Sequence, residues 1–260
     1  MAKQSAIDRD LDWRIEEACI NAFPSLRQVL FGRWLMRFAD GVSRRSNSVN
    51  ALGPECPDIS GTTAAAERLY RSRNQPTIFR VLSILDPLLD AGLAARRYTR
   101  EGETCVLCCD MADVVGAAAD PAVRLLPAPD PAWLDAMSRL QRHTPAQAIT
   151  YRGIVGAIAV PARFALLATD DGGGSSVALA YGALHAGMLC YESVIVSPDA
   201  RRRGLARRII GALAAWARDE EGATAVCLQV QADNTPARAL YAGFDLVERY
   251  RYHYRRQPAD

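Results

Sequence analysis

A buried strand that passes through a tight turn into an amphipathic helix is the feature that most constrains this 260-residue chain. Residues 194–196 are the β-branched, apolar run Val-Ile-Val, and Ser197 and Pro198 end the strand. Gly204 then lets the backbone approach a ligand closely, because glycine has no Cβ. The helix that follows carries an apolar stripe at helical spacing, formed by Leu205, Ile209, Leu213 and Trp216.

The start of this helix is predicted to bind a diphosphate. The first turn of a helix has amide N–H groups without intrahelical partners, and the helix dipole is positive there. Guanidinium groups add to that field. Five arginines flank the turn: Arg201, Arg202, Arg203, Arg207 and Arg208.

The spacing Arg201-x-x-Gly204-x-Ala206 matches the Arg/Gln-x-x-Gly-x-Gly/Ala signature of the GNAT superfamily of acyl-CoA-dependent N-acyltransferases. A second segment, residues 228–241, resembles the strand, the Asn and the Leu-Tyr helix that follow in that family. Thr235 is predicted to cap this second helix and Pro236 to occupy its first position. Over roughly residues 160–256, the chain therefore resembles members of the GNAT superfamily.

The resemblance implies a fold, a donor and a set of binding residues. The fold is α/β (α+β), a mixed, mainly antiparallel twisted sheet flanked by helices. The donor is acetyl-CoA, attacked directly by a primary amine in a ternary complex. The implied cofactor-binding residues lie on the strand, on the turn with the following helix start, and before the second helix: Val194, Ile195, Val196, Arg201, Arg202, Arg203, Gly204, Leu205, Ala206, Arg207 and Asn234.

Two residues are predicted to move protons. Tyr241 stands at the family's Tyr position and is predicted to protonate the departing thiolate; the alternative is a packed aromatic residue. Glu192 is the carboxylate of strand residues 189–196, and strand alternation predicts that it shares a face with Val194 and Val196. Glu192 is either the base that accepts the amine proton or an ion-pair partner of the basic surface, and a water chain could replace it. If the strand splays from its neighbour, N–H groups of residues 194–196 can bind the thioester oxygen.

Composition limits the partners. Lys and Arg total 31 against 29 Asp and Glu, which argues against general nucleic-acid binding. Residues 1–14 are polar and charged, so we expect no leader or membrane segment and a cytoplasmic protein. The partners expected are acetyl-CoA and an amine acceptor, either a small molecule or a protein amino group. The alternative function is a catalytically silent acyl-CoA-binding module that regulates a partner.

The seven cysteines are predicted to be free thiols. They are Cys19, Cys56, Cys105, Cys108, Cys109, Cys190 and Cys227. Cys105-x-x-Cys108-Cys109 has the spacing of half a metal site, but no second pair accompanies it and its neighbours resemble a buried strand. We therefore predict core thiols and no metal.

The proline-rich segment 113–130 is predicted to link an N-terminal α/β domain, 1–112, to a catalytic GNAT domain, 131–260. The order of predicted elements in 1–112 echoes the second half, so this domain is either a degenerate GNAT copy or an unrelated α/β extension. The run 170–176 (Asp-Asp-Gly-Gly-Gly-Ser-Ser) is predicted to be a flexible hairpin turn.

Two further polar or aromatic groups have open interpretations. The alternating tyrosines Tyr250, Tyr252 and Tyr254 share one strand face, which either lines an acceptor pocket or packs in the sheet. A polar cluster that includes Arg37, Asn47 and Asn50 either contacts a polar acceptor or is a solvated surface.

Overall fold

The structure is a computed structural model that describes residues 6–55, 59–168 and 176–258. The helices within these ranges are α1 (Ala6–Ala22), α2 (Ile59–Arg71), α3 (Pro87–Ala95), α4 (Pro131–Gln141), α5 (Pro145–Gly156), α6 (Leu205–Asp219) and α7 (Thr235–Ala242). The strands are β1 (Arg27–Phe31), β2 (Trp34–Phe38), β3 (Val49–Ala51), β4 (Ile78–Leu82), β5 (Thr99–Asp110), β6 (Arg124–Leu126), β7 (Ala162–Ala168), β8 (Ser176–His185), β9 (Met188–Val196), β10 (Ala225–Gln231) and β11 (Val247–Arg256).

The described chain forms two compact units that interleave along the sequence. Unit 1 contains residues 6–24, 107–168, 176–230 and 234–247. Unit 2 contains residues 25–55, 59–106, 231–233 and 248–258. Each unit combines helices with strands, so the predicted mixed α/β class is confirmed.

Unit 1 is a mixed sheet with helices packed against it. Its strands follow the order β5-β10-β9-β8-β7-β6, in which β9 and β10 are parallel and β6 to β9 are antiparallel. Helices α1 and α6 both pack on β8 and β9. Two buried aromatic residues also satisfy their polar atoms: Trp133 Nε1 donates to Ala165 O at 3.1 Å, and Tyr181 Oη donates to Ala22 O at 2.9 Å. Such satisfied aromatic side chains hold α1 and α4 against the sheet.

The stripe predicted for the helix after Gly204 is the buried face of α6. Leu205, Ile209, Leu213 and Trp216 are each at most 9% exposed. Tyr191 of β9 donates from its hydroxyl to Ile210 O of α6 at 3.1 Å. The helix is therefore fixed to β9, the strand that carries the candidate site.

Unit 2 has the strand order β1-β2-β3-β4-β11-β5. Strands β1 and β2 form a hairpin, β3 and β4 are parallel, and β4 and β11 are antiparallel. Its core contains Trp34, which packs edge-on against Phe79 at 6.0 Å between ring centroids. Tyr252 and Tyr254 are each 3% exposed, with Arg80 stacked 3.8 Å from the Tyr252 ring centroid. Tyr252 and Tyr254 therefore pack within unit 2, and whether the tyrosine face also lines an acceptor pocket stays a prediction.

Half of the predicted polar cluster of unit 2 is buried. Arg37, Asn47 and Asn50 are 3%, 4% and 2% exposed. Asn47 Oδ1 accepts from the backbone N–H groups of Ala39 and Gly41 at 2.7 and 3.0 Å, which shapes the turn after β2. The solvated-surface interpretation was wrong for these three side chains, because they bond backbone groups inside the fold, whereas Asp40 of the same cluster is exposed.

The compact units do not coincide with the predicted ranges 1–112 and 131–260. Helix α1 belongs to unit 1, and residues 248–258 belong to unit 2. The predicted linker 113–130 contains β6, and Asp120 within it binds Arg208 of α6. That residues 113–130 link a degenerate GNAT copy to a catalytic one stays a prediction.

Sequence reasoning missed β1 and β6, which are five and three residues long. The predicted hairpin at 170–176 and Cys56 fall outside the described residues, apart from Ser176 at the start of β8. None of the helices in the described ranges combines the length and apolar character needed to cross a bilayer.

An ion pair in unit 2 gives a prediction for stability. Arg255 donates from Nε and Nη2 to the Asp90 carboxylate at 2.7 and 2.9 Å, and His253 Nε2 lies 2.7 Å from Asp90 Oδ1. The Arg255 hydrogen bonds lower the pKa of Asp90 to about 2. The folded-state pKa is depressed, so the stabilisation is complete above the unfolded pKa of about 3.9 and is lost as the pH falls through about 2.

We expect Asp90→Asn to lower the free energy of unfolding by on the order of 1–2 kcal/mol at pH 7. The difference from the wild type should shrink between about pH 4 and pH 2. Urea denaturation of both proteins across this range measures it. A constant difference down to pH 2 would show that the loss has another cause.

Candidate active site

All residues of the candidate site belong to unit 1 and are centred on β9. A β-bulge interrupts the antiparallel pairing of β8 and β9: Leu179 pairs with Ile195, but Tyr181 pairs with Glu192. Ser193 and Val194 therefore both lie opposite Ala180. Ser193 adopts φ +55°, a conformation that L-residues seldom take. Bulges bend a strand and increase its twist, so β9 changes direction at this point.

The parallel pairing of β9 with β10 ends where the bulge begins. In the described chain this ladder runs from Met188–Ala225 to Tyr191–Leu228 and no further. Ser197 N donates to Val177 O of β8 at 2.7 Å. Because N–H directions alternate along a strand, Ile195 then faces β8, whereas Val196 N–H faces the edge from which β10 has parted. The splayed strand on which the predicted thioester site depends is therefore present.

The bulge corrects the predicted face of Glu192. Residues directly opposite each other in a ladder point to the same face. Tyr181 and Leu179 share a face of β8, so their partners Glu192 and Ile195 share a face of β9. Val196 points to the other face. The prediction that Glu192 shares a face with Val194 and Val196 was wrong, because the extra residue of the bulge breaks the alternation.

The turn before α6 has the geometry of an anion cradle. Gly204 is the N-terminal cap residue of α6 at φ +74°, and Arg202 is at φ +61°. No side chain caps α6, so amide N–H groups of its first turn, which includes Leu205 and Ala206, are left for a ligand. A Cβ at Gly204 would meet no atom within 4 Å. The space in front of this glycine is open, as the approach of a diphosphate requires.

The five arginines of this region divide into two groups. Arg208 binds the Asp120 carboxylate through Nε and Nη2 at 2.6 and 3.0 Å. Arg207 donates to Gly243 O at 2.8 Å and stacks on Phe244. The remaining three, Arg201, Arg202 and Arg203, are exposed, and no hydrogen bond or ion pair to the rest of the described chain engages their side chains. The positive field available to an anion therefore comes from these three side chains.

Asn234, predicted at the cofactor, caps α7. Its Oδ1 accepts from Ala237 N at 3.2 Å, and α7 begins at Thr235. The prediction of Thr235 as the cap was one residue late. Because the cap uses the amide oxygen, the exposed amide NH2 is the part of Asn234 that a ligand can use.

Tyr241 lies on α7 with its ring buried at 7% exposure. Burial raises the pKa of its phenol, and the nearby Glu192 carboxylate raises it further. The phenol therefore stays protonated at neutral pH. Within the described residues its hydroxyl makes no hydrogen bond, which leaves the proton available to a bound substrate.

Glu192 is buried, at 4% exposure, beside a group of thiols. Its Oε1 lies 4.0 Å from Cys190 Sγ. Its charge acts on Tyr241, so the two residues predicted to move protons lie in one electrostatic environment. Whether Glu192 acts as the base or as an ion-pair partner stays a prediction.

Sequence reasoning missed a contact at the bulge itself. Tyr151 of α5 and Ser193 are joined hydroxyl to hydroxyl at 2.7 Å. His143 lies beside the Tyr151 ring at 5.3 Å between centroids, and burial lowers its pKa, so it is neutral near pH 7. The signal in the sequence was weak, since 42 residues separate Tyr151 from Ser193. This contact holds the bulge against α5.

Comparison with known proteins identifies the family. Residues 13–255 match the family model described as the probable histone acetyltransferase Rv0428c C-terminal domain. The chain belongs to this family and, with it, to the GNAT superfamily, and it is an N-acetyltransferase. The curated protein "Uncharacterized N-acetyltransferase YobR" of Bacillus subtilis (strain 168) is 26% identical over 254 residues, 94% of this chain and 98% of that protein.

Solved structures share the fold. A GCN5-related N-acetyltransferase from Kribbella flavida aligns with a TM-score of 0.68 at 18% identity, and the alignment covers 95% of this chain and 96% of that chain. A tandem GNAT protein from the clavulanic acid biosynthesis pathway has a TM-score of 0.61 at 16% identity, covering 82% of this chain and 76% of its own. At these sequence identities, the similarity to the two solved structures shows a shared fold and nothing more.

The cradle geometry gives a prediction for Gly204→Val. We expect it to abolish coenzyme A binding, because a branched side chain would fill the open space in front of the turn. The matched control is Gly222→Val, since Gly222 has φ +67° and also faces open space, but it follows the other end of α6. Both variants should lose similar stability, about 1–2 kcal/mol from the left-handed backbone. Calorimetric titration with coenzyme A separates them, and equal affinity in both would remove the cradle assignment.

Proposed function

We propose that this N-acetyltransferase moves the acetyl group of acetyl-CoA to a primary amine by direct attack in a ternary complex. The observation that carries the proposal is the open edge of β9, which ends at Val196 just before the uncapped turn of α6. One feature presents backbone donors and the other an anion cradle, in the order in which acyl and diphosphate groups follow along acyl-CoA. No metal takes part in this reaction scheme.

In the proposed complex the diphosphate binds the first-turn N–H groups of α6, at Gly204, Leu205 and Ala206. Arg201, Arg202 and Arg203 supply the positive charge. Arg207 contributes by orienting α7, because its guanidinium already binds Gly243 O. Backbone groups of Val194, Ile195 and Val196 line the acyl arm, with Val196 N–H the donor directed at the open edge, and the Asn234 amide contacts the cofactor from α7.

The chain's own residues then move two protons. The amine nitrogen forms a bond to the acetyl carbon while the carbon–sulfur bond breaks. Glu192 accepts the proton that the amine loses, directly or through water, and the Tyr241 phenol donates a proton to the departing sulfur. The N–H of Val196 offsets the charge that develops on the carbonyl oxygen. The raised pKa keeps the Tyr241 phenol protonated before transfer, and it also makes the phenol a weaker acid, so the donor role depends on the position of the hydroxyl.

The acceptor is a small-molecule amine or a protein amino group. The alternative function, a silent acyl-CoA-binding module that regulates a partner, has the same cradle but needs neither Tyr241 nor Glu192. A screen for thiol release from acetyl-CoA with a library of amines distinguishes them. The described cysteines are free thiols, which supports a reducing, cytoplasmic setting.

We further infer that the N-terminal domain, residues 1–112, descends from a second GNAT copy that has lost its cradle; the alternative is an unrelated α/β extension. The domain combines α1 to α3 with β1 to β5 and contains no Arg-x-x-Gly-x-Gly/Ala turn. The tandem GNAT protein among the structural neighbours supports this division, with 113–130 as the link to the catalytic domain 131–260.

Replacing Tyr241 by Phe tests the proton donor. We expect turnover to fall by ~10²-fold or more while coenzyme A affinity is kept, because the ring still packs and only the hydroxyl is lost. Tyr70→Phe is the matched control, since Tyr70 is also a buried phenol and its hydroxyl bonds Arg37 O at 2.8 Å. Steady-state kinetics of both variants decide the matter. Unchanged turnover in Tyr241→Phe would make this residue a packing aromatic.

Replacing Glu192 by Gln tests the base through pH dependence. The wild-type rate should rise with pH as the Glu192 carboxylate becomes available, which produces an acidic limb. In Glu192→Gln the part of the rise that comes from ionisation of this carboxylate should disappear. The residual activity should still rise toward the amine pKa of about 10.4, because more free amine forms. Rate profiles from pH 5 to about 10 on one amine measure this. An unaltered acidic limb would assign the proton to water or to another residue.

A further inference from the structure

Three cysteines from three separate elements meet in the interior of unit 1. They are Cys19 of α1, Cys190 of β9 and Cys227 of β10. Cys190 Sγ lies 3.8 Å from Cys19 Sγ, and Cys19 Sγ lies 4.0 Å from Cys227 Sγ. All three sulfurs lie within 4.8 Å of one another. We call this group the thiol cluster.

The cluster follows from the register of the sheet. Cys190 and Cys227 are direct partners in the parallel ladder of β9 and β10, so their side chains stand side by side on one face. Helix α1 covers that face and turns its buried stripe, Ile15, Ala18, Cys19 and Ala22, toward it. The sulfur positions are therefore held by backbone pairing and by helix packing rather than by flexible loops.

The spacing of the sulfurs fits a tetrahedral zinc site. Zinc–sulfur bonds of about 2.3 Å in a tetrahedron place neighbouring sulfurs about 3.8 Å apart. The two short sulfur–sulfur distances of the cluster, 3.8 and 4.0 Å, are close to that value. The third pair, Cys190 Sγ and Cys227 Sγ, lies within 4.8 Å.

A carboxylate lies beside the cluster, outside the group of atoms within 4.8 Å of one another. Glu192 is two residues after Cys190 on the same strand, before the bulge, so both point to the same face. Its Oε1 lies 4.0 Å from Cys190 Sγ. The three sulfurs are therefore the ligands that the geometry brings together.

We propose that Cys19, Cys190 and Cys227 bind one Zn²⁺ ion. Binding forms three zinc–sulfur bonds, and the three thiol protons leave to solvent. The ion joins α1 to β9 and β10. The proposal can fail separately from the acetyl-transfer proposal, because metal content is measured without amine or acyl-CoA.

The first test is the metal content of the whole protein. The chain is expressed with added zinc, kept reduced, dialysed against metal-free buffer and analysed by plasma mass spectrometry. We expect about one zinc per chain in the wild type and background zinc in Cys227→Ser. The matched control is Cys108→Ser, another buried cysteine of unit 1 that lies outside the cluster, which should keep the wild-type zinc content. Equal zinc in both variants, or background zinc in the wild type, would overturn the proposal.

A second measurement does not depend on whether the variants fold. Wild-type protein expressed with cobalt in place of zinc should show thiolate-to-cobalt charge-transfer absorption in the near ultraviolet and the visible bands of tetrahedral Co²⁺. Their appearance with about one cobalt per chain supports three sulfur ligands. Cobalt that binds without charge-transfer absorption would contradict the proposal, and so would failure of the protein to retain cobalt.

Discussion

The candidate site depends on one interruption of backbone pairing, the bulge at Ser193 and Val194. In a strand between two neighbouring strands, the backbone N–H and C=O groups are normally all hydrogen-bonded to those neighbours. In β9 the extra residue turns the strand, and the ladder to β10 ends at Tyr191. The backbone donors near Val196 are released for this reason alone, and no side chain is needed to create them. Side chains enter as supports: Tyr151 bonds Ser193, and Tyr191 bonds α6.

The same interruption decides which groups can share the chemistry. Because the alternation breaks, Glu192 turns to the face covered by α1, while Val196 turns to the opposite face. Yet the Glu192 charge reaches Tyr241 and raises the pKa of its phenol. A buried carboxylate near a buried phenol favours a state in which one carries the negative charge and the other keeps its proton. This protonation state is the one that the roles proposed for Glu192 and Tyr241 require.

Sequence reasoning worked where the signal is local. The turn before α6 was recoverable because glycine at positive φ and an apolar stripe at helical spacing are properties of adjacent residues. It failed where long-range pairing decides. The residues next to Glu192 in the sequence give no sign of the bulge, because the extra residue can be recognised only from the pairing of β9 with β8. The arginines were over-counted because Asp120 and Gly243, the partners of Arg208 and Arg207, are distant in sequence.

The thiol cluster illustrates the same limit with a chemical consequence. In the sequence, Cys105-x-x-Cys108-Cys109 has a ligand-like spacing, whereas Cys19, Cys190 and Cys227 have none. In the fold, Cys19, Cys190 and Cys227 are the cysteines that meet. Parallel pairing of β9 with β10 places Cys190 beside Cys227, and α1 adds Cys19. Glu192 follows Cys190 on the same face, and its Oε1 lies 4.0 Å from Cys190 Sγ. A cation held by the cluster would therefore lie close to the carboxylate that is proposed to accept the amine proton, and its charge would lower the basicity of Glu192.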